Sequence, residues 1–223
     1  MTRDRNFRGF TIVEAMVVMA IIGVLAALAV PVFSRQRPRA HLAAATAELQ
    51  SVVHGARQQA LATGHDVWVL VFPEFASGEG TGRVIVYEDG NFDFSVANAP
   101  GGMDLDRIVP ATPARGTRSR VVTTMDLPTG VTFGTDSGGP TALPRPLDGI
   151  DVTRGCSFCG TLTDRRGGIR FDSRGRATFY GRTGIPLVAA GAALNLTSSP
   201  AISGQRTLVV TPVSGAVRLL IDG

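Results

Sequence analysis

Residues 8–33 read RGFTIVEAMVVMAIIGVLAALAVPVF, and this stretch decides how the chain is built. After Glu14 it is apolar up to Ser34, apart from Gly23 and Pro31. At ~1.5 Å per residue, a helix of this run just crosses a hydrocarbon core of ~30 Å. The acid is the informative residue. A carboxylate at mid-helix costs roughly 2.5–3.5 kcal/mol to place in lipid, so Glu14 asks for a partner. Cleavage between Gly9 and Phe10 would expose an amine four residues from Glu14, one helical turn away on the same face. That amine could pair with Glu14 of its own chain or of a neighbour packed beside it.

The order Arg8-Gly9-Phe10-Thr11-Ile12-Val13-Glu14, ahead of a long apolar helix, resembles the N-terminal signal of type IV prepilins and type II secretion pseudopilins. The resemblance implies cleavage after Gly9 by the membrane aspartyl protease prepilin peptidase. It also implies N-methylation of Phe10 and use of Glu14 in assembly. Pro31 falls where such helices often carry a proline. Two plainer readings compete. A secretory signal peptide has a basic start and an apolar core, but here an acid follows Gly-Phe and the core runs too long. A plain single-pass anchor accounts for the hydrophobicity and leaves the Gly-Phe-x-x-x-Glu order unexplained.

Charge does not orient the segment. Arg3, Arg5 and Arg8 precede it and Arg35, Arg37 and Arg39 follow it, so the positive-inside rule ties. The family resemblance places the C-terminal head in the periplasm. The formal charge of the chain is +4, and loss of residues 1–9 removes three Arg and one Asp, lowering it by two. That is too small a balance to argue for nucleic acid by itself. Every basic residue of the Lys/Arg pair is Arg, a bias that a GC-rich genome produces. The length leaves room for one soluble domain beside the apolar segment, and Gly and Pro outnumber aromatic residues, which suggests β structure with long loops.

Beyond Phe33, apolar residues recur at Leu42, Ala45, Leu49, Val52, Val53, Ala56 and Ala60, in steps of three and four. They form one helical stripe, and Gly64 supplies a C-cap. The spacing predicts one long helix from about Phe10 to Thr63, on the order of 80 Å, which Pro31 and Pro38 should kink or loosen. The stripe needs a partner, and the β-rich remainder supplies it. Strands are expected at Val67–Phe72, Arg83–Tyr87 and Phe92–Val96, the last two as a hairpin turning at Asp89-Gly90. Residues 97–119 and 134–168 read as loops, with short strands at Arg120–Thr123 and Val131–Phe133. Hairpins are expected at 168–172 with 176–180, and at 207–211 with 216–221.

The stretch Ala56–Gly64 followed by a strand is similar to the GspH/FimT-like branch of minor pilins. So are Ile169–Ala177 and the closing hairpin. Residues 97–165 carry no such likeness.

Little in the chain points to chemistry. Cys156-Ser157-Phe158-Cys159 holds the only cysteines. In an oxidising periplasm a disulfide is the simplest reading, since a redox site wants a βαβ setting and zinc wants two further ligands. His41, His54 and His65 have no i, i+4 pairing. Gly78, Gly80 and Gly82 lack the helix that would make a phosphate cradle. Asp104 and Asp106 read as a solvated turn rather than a Ca²⁺ site. No catalysis and no cofactor or metal is expected. Arg165, Arg166, Arg170, Arg174, Arg176 and Arg182 crowd one hairpin with Phe171, Phe179 and Tyr180. Arginines among aromatics can hold phosphates and stack bases, which suits a tip protein that catches DNA. The competing reading is a salt-bridged hairpin, partnered by Asp164 and Asp172, with its rings in the core.

The fold expected is therefore α+β. A leader (1–9) precedes a helix that is membrane-spanning over 10–33 and amphipathic over 34–63, packed on an antiparallel β-rich head (64–223). The function implied is a minor pilin or pseudopilin of a type IV pilus or type II secretion pseudopilus. Its partners would be other pilins, prepilin peptidase, the inner-membrane assembly platform and lipid. The alternatives are a tip module that binds DNA or a surface, and a plain membrane-anchored periplasmic protein.

Overall fold

A computed structural model of the chain describes residues 11–78, 80–91, 95–96, 99–113, 118–136, 142–160, 165–198 and 204–221, with backbone alone at 28–36, 95–96, 99–101 and 221. It divides into two compact units, Met1–Arg37 and Pro38–Gly223. Helix α1 runs Ile12–Thr63 and its helical assignment is unbroken through Pro31 and Pro38. Its far end is where the sequence put it. Gly64 takes φ +73 and returns its N–H to the Ala60 carbonyl at 3.0 Å, the left-handed cap that a residue without Cβ adopts cheaply.

In the second unit the stripe on α1 is buried as its spacing required. Leu42, Ala45, Leu49, Val53, Ala56 and Ala60 all lie in the main core, with Val52 partly buried beside it. They pack with two antiparallel sheets. One has six strands in the order β5-β2-β1-β7-β8-β9. These are β1 (Asp66–Ala76), β2 (Thr81–Asp89), β5 (Ser119–Asp126), β7 (Gly167–Phe171), β8 (Ala177–Tyr180) and β9 (Pro186–Leu187). The other has four, in the order β12-β11-β10-β6. These are β6 (Val131–Phe133), β10 (Ala192–Ser198), β11 (Gln205–Val210) and β12 (Val217–Ile221). A small ribbon joins β3 (Ser95–Val96) to β4 (Ala99–Met103). The hairpins expected near 168–180 and 207–221 are β7–β8 and β11–β12.

The central strands of both sheets are covered on both faces. Along β1, Val67, Val69 and Val71 face the main core, while Trp68, Leu70 and Phe72 join a second core on the opposite face. A continuous apolar strand, rather than an alternating one, is what two-sided burial requires. This corrects the reading of 97–119 as loop. Met103, Leu105 and Ile108 from that region roof the second core, held by β4 and a 3-10 turn at Leu105–Arg107. In the same way Leu143, Leu147, Ile150 and Val152 cover Ala193 and Val209 on the outer face of the four-stranded sheet.

The hairpin expected at Asp89-Gly90 is also corrected. Strand β2 does not turn back there; it pairs with β1 on one side and β5 on the other, and β3 pairs with β4 instead. Residues 92–94 of the expected strand lie outside the described residues. Gly90 serves close approach rather than a tight turn, since a Cβ there would sit 2.6 Å from the Arg118 carbonyl oxygen. Asp89 closes the strand by accepting a bond from the Ser119 hydroxyl at 2.8 Å.

Candidate processing and assembly segment

The first unit carries the motif residues. Gly9 and Phe10 lie outside the described residues. Thr11 is the first described residue, and it caps α1. Its carbonyl accepts from the Ala15 N–H at 3.1 Å and its hydroxyl accepts from the Glu14 N–H at 3.3 Å. Thr-x-x-Glu is the sequence signature of a capping box, and it puts the helix start after Thr11 rather than at Phe10. The helix begins at Ile12 instead. Glu14 stands exposed in its first turn, where a negative side chain meets the positive end of the helix dipole.

Around it the helix surface is apolar on all sides. Ile12, Val13, Met16, Val17, Val18, Met19, Ile21, Ile22, Val24 and Leu25 are all exposed, from 43 % for Val18 to 82 % for Ile12. Bare apolar surface of this kind is stable only when lipid or other protein covers it. Among the described residues no helix is long and apolar enough to cross a membrane. The described side chains of this run end at Ala27, and the sequence itself stays apolar to Phe33. Pro31 has helical backbone; its side chain is not among those described.

The second unit places the remaining candidates. Cys156 and Cys159 are bonded to each other, with Cα atoms 5.5 Å apart. Five of the six hairpin arginines make ion pairs within the chain. Arg165 meets Glu74 at 2.7 Å, Arg170 meets Asp66 at 2.7 Å, and Arg176 meets Asp172 at 2.7 Å. Arg166 and Arg182 face Asp106 at 3.4 and 3.5 Å. Arg174 is exposed at the turn. Of the partners expected, Asp164 and Asp172, the second is found. Asp164 lies outside the described residues, and the rest come from β1 and the 3-10 turn, because β7 pairs with β1 and sets Arg170 opposite Trp68. Phe171, Phe179 and Tyr180 are buried, so these rings are not available to stack on bases.

The polar groups that sequence reasoning missed sit where α1 meets the sheet. Glu88, its side chain only 6 % exposed, accepts from Arg120 at 3.0 and 2.9 Å and from Gln59 at 3.1 Å. Its other oxygen lies 2.8 Å from His65 Nδ1. Burial pushes this carboxyl up, but the bonds from His65, Arg120 and Gln59 outweigh it and hold Glu88 below its ordinary value. Asp66 moves the other way. Burial raises it, and Asp172 and Asp89 nearby add to the rise against the pull of Arg170. Asp104 caps the 3-10 turn by accepting from the Asp106 N–H at 3.2 Å. Gly78 and Gly80 belong to the β1–β2 connection, where Ser77 N–H reaches the Gly80 carbonyl at 2.9 Å, and Gly82 lies within β2. Among the described residues, no three His, Cys, Asp or Glu side chains gather as metal ligands would.

The bare helix and its capped acid are thus the part of the molecule that asks for something outside the chain. Residues 4–30 match the family model of the prokaryotic N-terminal methylation motif. No curated protein and no solved structure matches the chain. The motif is the N-terminus of type IV pilins and pseudopilins, and it implies processing by prepilin peptidase, anchoring in the inner membrane and pilin-type assembly. Proteins with this motif are typically structural subunits rather than enzymes. The fold agrees: a long N-terminal helix whose second half packs on antiparallel sheets is α+β and pilin-like.

Proposed function

We propose that this chain is a minor pilin or pseudopilin of the GspH/FimT-like branch, a structural subunit made as an inner-membrane precursor. Prepilin peptidase cleaves it after Gly9, Phe10 is N-methylated, and α1 enters a filament of other pilins. Glu14 pairs with the new amine of Phe10, in its own chain or a neighbour, and Pro31 belongs to the same packed segment. The observation that carries the reading is the coincidence of the matched motif at residues 4–30 with the exposed apolar start of α1, Ile12–Leu25, in which Glu14 is the one charged side chain. Neither half alone would suffice, since a bare anchor explains the exposure and a motif is a hypothesis until its structural context agrees.

Mass spectrometry of the mature N-terminus tests it. The expected species starts at methylated Phe10. A native, functional chain that retains its first nine residues would overturn the reading. Glu14→Ala should keep that N-terminus and lower incorporation into filaments, and wild-type incorporation would remove the pairing role. Gly9→Val should block maturation.

A further inference from the structure

The loop Gly155–Cys159 stands in for a strand. Strand β10 pairs with β6 along Leu196–Ser198, and the Gly134 N–H just past β6 reaches the Asn195 carbonyl at 3.0 Å, so the Ala193 backbone and the Asn195 N–H would be left as an open edge. The loop fills it. Asn195 N–H donates to the Gly155 carbonyl at 2.8 Å and Ser157 N–H donates to the Ala193 carbonyl at 3.0 Å. Cys156 lies opposite Leu194 as an antiparallel bridge, and Ser157 Oγ accepts from the Ala193 N–H at 2.9 Å. The buried Asn195 amide adds a bond to the Val152 carbonyl at 2.9 Å.

The same loop reaches the other sheet. Phe158 is buried, with its ring 6.2 Å from that of Phe179 on β8. Gly167 on β7 makes room for it, because a Cβ there would come within 2.6 Å of the Phe158 ring. One short segment therefore touches both sheets, and the disulfide fixes its ends. The sulfurs are not open to solvent: Cys156 is 4 % exposed and Cys159 1 %. Thiol–disulfide exchange needs a thiolate to reach a sulfur atom, so the closed head denies that approach.

We propose that the Cys156–Cys159 loop is an oxidation-set clamp between the two sheets, formed before the seam closes and then sealed from reductants by Phe158. Two cysteine thiols react with an external disulfide. One S–S bond forms in the protein and one breaks in the reagent, which leaves as two thiols carrying the two protons. The clamp thereby ties completion of this part of the head to an oxidising compartment. It is independent of what α1 does at the membrane.

The full chain in detergent provides the test. Reduction by dithiothreitol, followed by alkylation and mass spectrometry, is expected to be slower in the native protein than in urea by roughly a hundredfold or more, because it waits on local opening. Phe158→Ala should recover at least about tenfold of that with the disulfide intact. In the Cys156→Ser/Cys159→Ser variant, amide exchange should rise on the order of tenfold at Ala193, Asn195 and Ser157, and stay unchanged along the 49–60 segment of α1. Native reduction as fast as in urea would overturn the proposal. So would a Phe158→Ala chain reduced at the wild-type rate, or exchange that rises evenly over the head.

Discussion

Replacing Glu88 with Gln should loosen the junction between α1 and the sheet, with a dependence on pH that identifies the cause. The carboxylate receives four bonds, from Gln59, His65 and Arg120, at 2.8–3.1 Å. Removing one partner of a buried ion pair costs about 3–5 kcal/mol. Two features reduce that here. The side chains of Arg120 and His65 are 64 % and 48 % exposed, so water can solvate the groups left without the carboxylate, and Gln keeps one acceptor. A loss of about 2 kcal/mol at neutral pH is therefore expected, or about 4–8 °C in Tm for a domain of this size. The folded carboxyl is held below its ordinary value of 4.5. Its contribution is then complete above that value and disappears as the pH falls through the folded one. Thermal unfolding of the wild type and Glu88→Gln in detergent, followed by circular dichroism from neutral to acid pH, should show a gap that closes on acidification. A gap that is absent at neutral pH, or that stays constant throughout, would refute the reasoning.

Other perturbations separate packing from backbone geometry. Leu49→Ala removes a fully buried side chain from the α1 stripe and should cost about 3 kcal/mol in the same unfolding assay. Gly215→Val should cost about 2–4 kcal/mol, because at φ +58 a Cβ would lie 2.2 Å from the Gly175 carbonyl oxygen. Gly64→Ala, at φ +73 but in open space, should cost only about 1 kcal/mol. Equal losses at the two glycines would show that the turn at Gly215 gives way.

Some of this was legible in the residues alone. The apolar run after Glu14, the three-and-four spacing from Leu42 to Ala60 and the cap at Gly64 are local patterns, so they read directly as helix and as the face it buries. The alternation of Ile169 and Phe171 with Arg170 and Asp172 marked the β7–β8 hairpin in the same way. The Thr11-x-x-Glu14 cap signature is equally local, and it sets the start of the helix at Ile12 rather than Phe10. The salt-bridged reading of the arginine cluster was legible for Arg176, whose partner Asp172 is four residues away, but the carboxylates of Arg165, Arg166, Arg170 and Arg182 arrive from β1 and the 3-10 turn, far away in sequence.

What lay beyond the sequence shares one physical cause. The roofs over the two sheets, at Met103–Ile108 and Leu143–Val152, contain too few apolar residues in a row to signal an element. They are ordered by the two-faced strands beneath them, whose outer faces would otherwise meet water. Asp89-Gly90 looked like a hairpin turn because local chemistry allows one, and the competing strand β5 took that edge of β2 instead. Local pattern was enough to set the helix, its apolar half and the motif at its start, since these depend on neighbours within a turn or two. Tertiary structure alone decided strand order, the covering loops and the bonding of Glu88, because those depend on which distant surfaces exclude water together.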